Sequence, residues 1–315
     1  MSRRGWTLLL ALGAIWGIPY LLIKVAVEAD VTPAAIVLTR TGLGAVLLLP
    51  FAVRHGGLRV VLTHWRPALA FAVLEIVGPW LLLSNAERTL SSSTTGLLVA
   101  TVPIGAVVLG RLVGDRRPVG TTRWVGLLVG LGGVALLLGP GAAGGDPWAV
   151  AQVLLAAVGY ATAPMIADRW LREVPTVPLT AACLALAALV YAPVVALTGP
   201  HPVPPASAVL ALVVLGVVCT ALAFTLFFAL IAEVGAARST LVAYLNPVVA
   251  VTLGALVLDE AITPGVVGAA ALILLGSAAA SRRRPEPVQE PRDVEARPEI
   301  GRDEPAPVMP RRPPG

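Results

Sequence analysis

The sequence predicts an all-α polytopic membrane protein in which ten transmembrane helices form two inverted five-helix repeats. Three observations lead there. The first is composition: of 315 residues, 57% are hydrophobic and only 13% are charged, which is more apolar surface than one soluble core needs to bury. The second is an internal duplication. Residues 97–115, LLVATVPIGAVVLGRLVGD, return 144 positions later as LVAYLNPVVAVTLGALVLD at 241–259, with nine of nineteen residues identical and no gap. Pro103 then matches Pro247, Gly110 matches Gly254, and Asp115 matches Asp259. The third is parity: each copy holds five predicted helices, and an odd number makes the second copy enter the membrane from the opposite side.

Counting about 20 apolar residues per crossing, helices are expected near 6–27, 33–53, 67–86, 93–113, 121–139, 147–168, 178–198, 207–231, 238–258 and 264–281. Turn and charge signals separate them, among them 28–33, 54–67, 115–118, 139–147, 199–205 and 259–264. The first span follows Arg3 and Arg4, but its apolar run is too long for a signal peptide and no small-residue cleavage site follows, so a retained helix is expected. The expected units are a first repeat at 1–143, a second at 144–284 and a disordered cytoplasmic tail at 285–315. That tail is rich in Pro, Glu and Arg and has too little apolar surface to offset the entropy of ordering.

The formal charge is +5, and its placement argues for topology rather than for nucleic acid. With the N-terminus inside, Arg3, Arg4, Arg54, Arg59, Arg66, Arg116, Arg117, Arg123, Arg169, Arg172, Arg238 and Arg282 to Arg284 fall on the inner side, and Arg88 falls on the outer. The positive-inside rule therefore puts both termini in the cytoplasm, with the chain in the cell (inner) membrane. Trp6, Trp65, Trp124, Trp148 and Trp170 fall at predicted span ends, as an aromatic belt requires, whereas Trp16 and Trp80 do not.

Cys183 and Cys219 lie within spans and read as structural thiols. Enzyme chemistry is not expected, and neither is a metal or cofactor. Ser91 to Ser93 have no His and acid partner, because His55, His64 and His201 lie in loops or at span ends; these serines are expected to cap the fourth helix. GPGAAGGD at 139–146 lacks the Walker lysine and the strand-loop-helix context of a phosphate cradle, so it reads as a connector.

The first helices fit the same offset, since Trp16 aligns with Tyr160 and residues 11–17 resemble the small-residue run at 155–161. Gly13 with Gly17, Gly110 with Gly114, and Gly126 with Gly130 make small-xxx-small spacings. These serve either packing within the chain, the commoner use, or a homodimer interface.

The elements WGIPYLLIK (16–24) with PAAIVLTRTGLGAVLL (33–48), NAERTLSSSTTGLLVATVP (85–103) and YLNPVVAVTLGALVLDEAITPGVVGAAALILLG (244–276) resemble the EamA-type repeats of the drug/metabolite transporter superfamily. The resemblance covers about residues 7–139 and 148–280. It implies ten helices, inverted repeats, cytoplasmic termini and transport of small metabolites such as amino acids. The family's Gly-Glu after the fourth helix of a repeat reads Gly114-Asp115 here and Asp259-Glu260 in the second copy, so the acid is kept in type.

Buried ionisable groups are the sharpest indicators of a transport site, because a charge at the bilayer centre costs about 3 kcal/mol. Glu75 lies mid-helix among apolar residues, with Gly78-Pro79 a turn later to loosen the backbone. It is the candidate for binding and releasing a proton; a carboxylate paired with an arginine for structure is the alternative. Arg40 matches the arginine usual at this place in the resembled family, and its planar fork suits a substrate carboxylate or Glu75. Lys24, the only lysine, either snorkels to the interface or binds. Trp16, Tyr20, Trp80, Tyr160, Phe224 and Tyr244 lie away from the belt and are candidates to line a cavity. Trp16 with Tyr160 and Trp80 with Phe224 are repeat-related. Asn85, Gln152 and Asn246 offer uncharged hydrogen bonds, Asn246 to backbone groups freed by Pro247.

The expected partners are thus a small-molecule substrate, the lipid bilayer and protons. The leading expectation is a secondary active exporter working by alternating access. An uncoupled uniporter or channel-like facilitator competes with it.

Overall fold

The computed structural model describes residues 1–54, 56–112, 120–137, 146–198, 203–235, 239 and 241–281, and every regular element among them is helical. Seven helices are long and apolar enough to cross a membrane. They are α1 (Arg3–Glu28), α2 (Pro33–Arg54), α3 (Trp65–Ala86), α4 (Ser92–Leu112), α6 (Pro147–Trp170), α7 (Thr176–Leu197) and α8 (Ala206–Val234). Three more apolar helices are shorter: α5 (Thr121–Leu137), α9 (Val242–Val257) and α10 (Pro264–Ser281), with 17, 16 and 18 residues. Each of these three has an end at or beside residues that are not described. The Gly114-Asp115 step, Arg116, Arg117, Arg238, His55, His201, most of the 139–146 connector, Arg282 to Arg284 and the tail 285–315 lie outside the described residues.

Local chemistry sets the helix starts. Ser2, Ser91 and Asp146 each accept a backbone N–H of the first turn, from Gly5, Thr94 and Trp148 respectively, the usual role of short polar N-caps. The stretch 54–67, expected to be a loop, contains a six-residue helix, Leu58–Thr63. Its Val61 is buried in the core of α2, α3 and α7, and Leu58 and Val60 pack against the same core.

Helix α5 packs along α10, α2 along α7, α1 against α9 and α8, and α6 against α4 and α3. Helix α2 also touches α8, and α7 touches α3. Adding or subtracting 144 from the residue numbers turns this set of contacts into itself. The small-residue faces at Gly13 and Gly17 and at Gly126 and Gly130 are filled within the chain. A side chain at Gly13 would meet Leu245, one at Gly126 would meet α10 at Gly276 and Ala280, and one at Gly130 would meet Ile104 of α4.

Both α3 and α8 contain a π-helical turn, Val73–Val77 and Val217–Leu222, and the two begin 144 residues apart. In the first, Pro79 supplies no N–H to the preceding turn; the Tyr191 hydroxyl donates to the Val77 carbonyl at 2.7 Å. In the second, the Thr220 hydroxyl donates to the Leu215 carbonyl five residues earlier, at 2.8 Å. Gly159 of α6 lets the first π turn come close: a Cβ there would stand 2.5 Å from the Leu74 carbonyl oxygen.

The five belt tryptophans are each at least half exposed, whereas Trp80 is 6% exposed. This is the division expected from their places at span ends. Cys183 and Cys219 are buried free thiols.

Candidate functional site

Arg40 is the polar centre of the interior. It is 8% exposed, held by α2 at its contact with α8. Its Nε donates to Thr220 Oγ1 at 2.9 Å, and its Cζ lies 3.6 Å from the centroid of the Trp80 ring. The π turn of α8 makes the first contact available by turning the Thr220 hydroxyl toward α2. The second is a stacked cation–π contact, for which a guanidinium plane is suited and an ammonium is not. Trp80 is within side-chain hydrogen-bonding reach of Tyr160. Tyr20, buried against α4 at Gly96, is an electrostatic neighbour of Arg40 and Tyr160. Four of the predicted residues, Arg40, Trp80, Tyr160 and Tyr20, are thus brought together by α1, α2, α3 and α6.

Glu75 sits on the π turn of α3, half-buried, with Oε2 enclosed and without a hydrogen-bond partner among the described residues. Its electrostatic neighbours are Tyr160 and Cys183. No ion pair joins it to Arg40 or to any other described cation; Arg40 is committed instead to Thr220 and Trp80.

The other predicted residues lie elsewhere. Trp16 packs edge-on to Phe224, with centroids 6.0 Å apart, and against Phe227 at 4.9 Å, forming an aromatic patch between α1 and α8. Adding or subtracting 144 converts the pair Trp16 and Phe224 into Tyr160 and Trp80. Asn85 Nδ2 donates to Gln152 Oε1 at 2.8 Å, tying α3 to α6. The Tyr244 hydroxyl donates to the Ser277 carbonyl at 3.3 Å, which turns it toward α10. Asn246 Oδ1 is buried without a hydrogen-bond partner among the described residues.

A second polar group, at the connection between α3 and α4, was not expected from the sequence. Lys24 reaches the end of α3. Its Nζ donates to the carbonyls of Glu87 and Leu90, at 3.0 and 3.1 Å, and lies 3.7 Å from Glu28. It is a cation at the C-terminal end of α3, where the helix dipole favours one.

Glu260 serves the start of α4: Oε1 accepts from the Ser92 N–H at 2.7 Å, and Oε2 accepts from the Ser93 N–H at 3.0 Å and from the Ser93 hydroxyl. The end of α9 aims it there. Asp259 has φ 53°, and the Glu260 N–H bonds back to the Gly254 carbonyl at 3.1 Å, the six-to-one bond of a helix C-cap. A Cβ on Gly254 would collide with the Glu260 carboxylate.

Near both lies Glu87, 0% exposed, with neither carboxylate oxygen hydrogen-bonded among the described residues. Burial pushes its carboxyl well above the usual range; Lys24 pulls it down, Glu260 pushes it up, and Arg40 pulls it down. The sequence hid Glu87 because it stands beside Arg88 at a span end, where charges ordinarily face water. The only signal was its place four residues ahead of the capping serines.

The profile of the EamA-like transporter family matches the chain twice, over residues 3–139 and 147–282. The chain is similar to an uncharacterized inner membrane transporter of Escherichia coli K12, YedA, at 30% identity over 253 residues, covering 78% of this chain and 80% of that protein. It is also similar to an uncharacterized transporter of Bacillus subtilis, YdfC, at 28% identity over 236 residues, covering 73% and 75%. One crystal structure resembles it with a TM-score of 0.63 at 21% identity, covering 89% of this chain and 97% of the other. That last likeness is one of fold.

Proposed function

This chain belongs to the EamA-like transporter family and is a membrane transporter, and from that premise we propose that it exports small organic metabolites such as amino acids by alternating access, driven by protons through Glu75. In this reading all of α1 to α10 cross the bilayer, residues 1–143 and 144–284 are inverted repeats, and both termini are cytoplasmic. Support comes from the two family matches, from principal helix pairs, α1 with α9 and α8, α6 with α4 and α3, that the 144-residue offset exchanges, and from π turns that begin 144 residues apart. The distribution of arginines supports the orientation.

The observation that carries the reading is Arg40. A buried guanidinium at the seam of the two copies spends one nitrogen on Thr220 and one face on Trp80. Its outer edge remains available for the two oxygens of a substrate carboxylate. Tyr20, Trp80 and Tyr160 supply aromatic walls beside it. Glu75, next to Tyr160 on a π turn, is the coupling group, since π turns are frequent where a helix must change shape for function.

The test is reconstitution in liposomes, with counterflow of amino acids and aromatic metabolites compared between wild type and Glu75→Gln under an imposed pH gradient. Gradient-driven flux is expected to vanish while counterflow survives. Equal loss of both would make Glu75 a binding or structural residue. Unchanged flux would contradict coupling through Glu75 and favour an uncoupled uniporter or channel-like facilitator.

A further inference from the structure

The connection between α3 and α4 contains more than a helix turn. Glu87 is enclosed on all sides, and both of its carboxylate oxygens are without hydrogen-bond partners among the described residues. An ionised carboxylate in that position would be buried without compensation, a penalty that proteins ordinarily avoid by neutralising the group.

A cation stands close enough to prevent this but does not. The Lys24 ammonium bonds to the carbonyl of Glu87, not to its side chain, and the carboxylate it approaches is Glu28. The charged groups around Glu87 are Lys24 from α1, Arg40 from α2 and Glu260 from the end of α9, with the Tyr20 hydroxyl also near. Arg40 donates through Nε to Thr220 and lies on the Trp80 ring, and among the described residues none of its hydrogen bonds goes to Glu87. Glu260 accepts from two backbone N–H groups and a hydroxyl. Two neighbouring acids therefore sit in opposite surroundings, Glu260 with both oxygens hydrogen-bonded and Glu87 with neither.

We propose that Glu87 is a proton-binding site, occupied while Glu260 clamps the start of α4 and emptied when that clamp opens. The clamp and the site are mechanically joined. Ser92 and Ser93, held by Glu260, follow Glu87 by only five and six residues, and Lys24 binds both ends of the intervening turn at Glu87 and Leu90. Pulling α4 from Glu260 moves that turn and lets water reach Glu87. The proton then leaves to solvent on the side where Glu260 lies, and Lys24 gains a carboxylate partner in place of a carbonyl. In the orientation proposed above, on which this last point rests, that side is the extracellular one. Glu87 would then load and unload at the outer end, apart from Glu75.

The experiment is infrared spectroscopy of the full-length protein in lipid nanodiscs, following the C=O stretch of protonated carboxyl groups at neutral pH and its shift on transfer to heavy water. Wild type is expected to show a protonated, slowly exchanging carboxyl that is absent in Glu87→Gln and still present in Glu75→Gln. In Glu260→Ala the same band is expected to exchange about tenfold faster or more, because the clamp no longer opposes local opening.

An unchanged band in Glu87→Gln would overturn the proposal, as would an exchange rate in Glu260→Ala equal to wild type. Failure of Glu87→Gln to fold would also overturn it, since the amide has the size and charge of the neutral acid. None of these readings depends on a substrate or on flux, so the transport reading can fail in liposomes while the proton site stands, or the reverse.

Discussion

Helices α2 and α3 carry Arg40, Glu75 and, one residue past the end of α3, Glu87; at the corresponding positions 144 residues later stand Leu184, Cys219 and Ile231. The backbone features correspond far better than the side chains do. Both copies have the π turn, and both place an aromatic pair across it, Trp80 with Tyr160 and Phe224 with Trp16. Around the first pair there is a guanidinium, while around the second there are Phe227 and Phe228. The two copies share the π turn and the aromatic pair, while at these three corresponding positions the ionisable side chains stand in the first copy alone. If Arg40 anchors substrate as proposed, one arginine serves both halves, and a second buried one would cost about 3 kcal/mol on the insertion scale.

The largest effect that sharpens this contrast is on stability. Leu184 is fully buried beneath Gly44 of α2, so Leu184→Ala should lower stability by about 2–5 kcal/mol. Melting in detergent checks this, and counterflow per folded molecule is expected to stay near wild type. The opposite pattern is expected of Arg40→Lys. The ammonium keeps the charge but loses the stack on Trp80 and the fixed fork, so melting should change little while counterflow affinity falls about tenfold, or about 1.4 kcal/mol.

The pH dependence of stability isolates Glu87 against its neutral counterpart Ile231. Burial raises Glu87 above the ordinary glutamate value, which is about 4.3. The folded chain therefore binds the proton more tightly than the unfolded one. The cost of Glu87 is absent below that pH and grows as pH rises, by up to about 1.4 kcal/mol per pH unit, until the folded-state value is passed. Wild type should lose stability on going from acid to neutral pH, and Glu87→Gln should lose less.

A smaller effect belongs to the tie between α3 and α6. Asn85→Ala strands the Gln152 carboxamide and should cost about 1 kcal/mol, measured by melting; Asn85→Ala with Gln152→Ala should cost less than the sum of the two single changes.

Helix positions and the twofold occurrence of the family repeat were legible in the sequence because apolar run length and a gapless offset report them directly. Arg40, Trp80, Tyr160 and Tyr20 were legible as candidates because polar and aromatic residues inside apolar runs stand out. Their grouping was not, since it depends on Thr220, whose hydroxyl faces Arg40 only because α8 makes a π turn there. The separation of Glu75 from Arg40 was equally hidden. Glu87 and Glu260 look like loop acids; what distinguishes them is burial created by α1 and α9 arriving from far along the chain. Lys24 was placed correctly near a helix end, yet its partners are carbonyls, which no residue type in the sequence announces.

The most direct measurement is counterflow in liposomes for Arg40→Leu, the substitution that makes the two copies alike at this position, with folding verified by melting. If the chemistry resides in one copy, the folded variant should lose counterflow by about a hundredfold, the change expected from removing a charged anchor worth about 3 kcal/mol. Counterflow within about twofold of wild type would contradict the account and move the binding site away from Arg40.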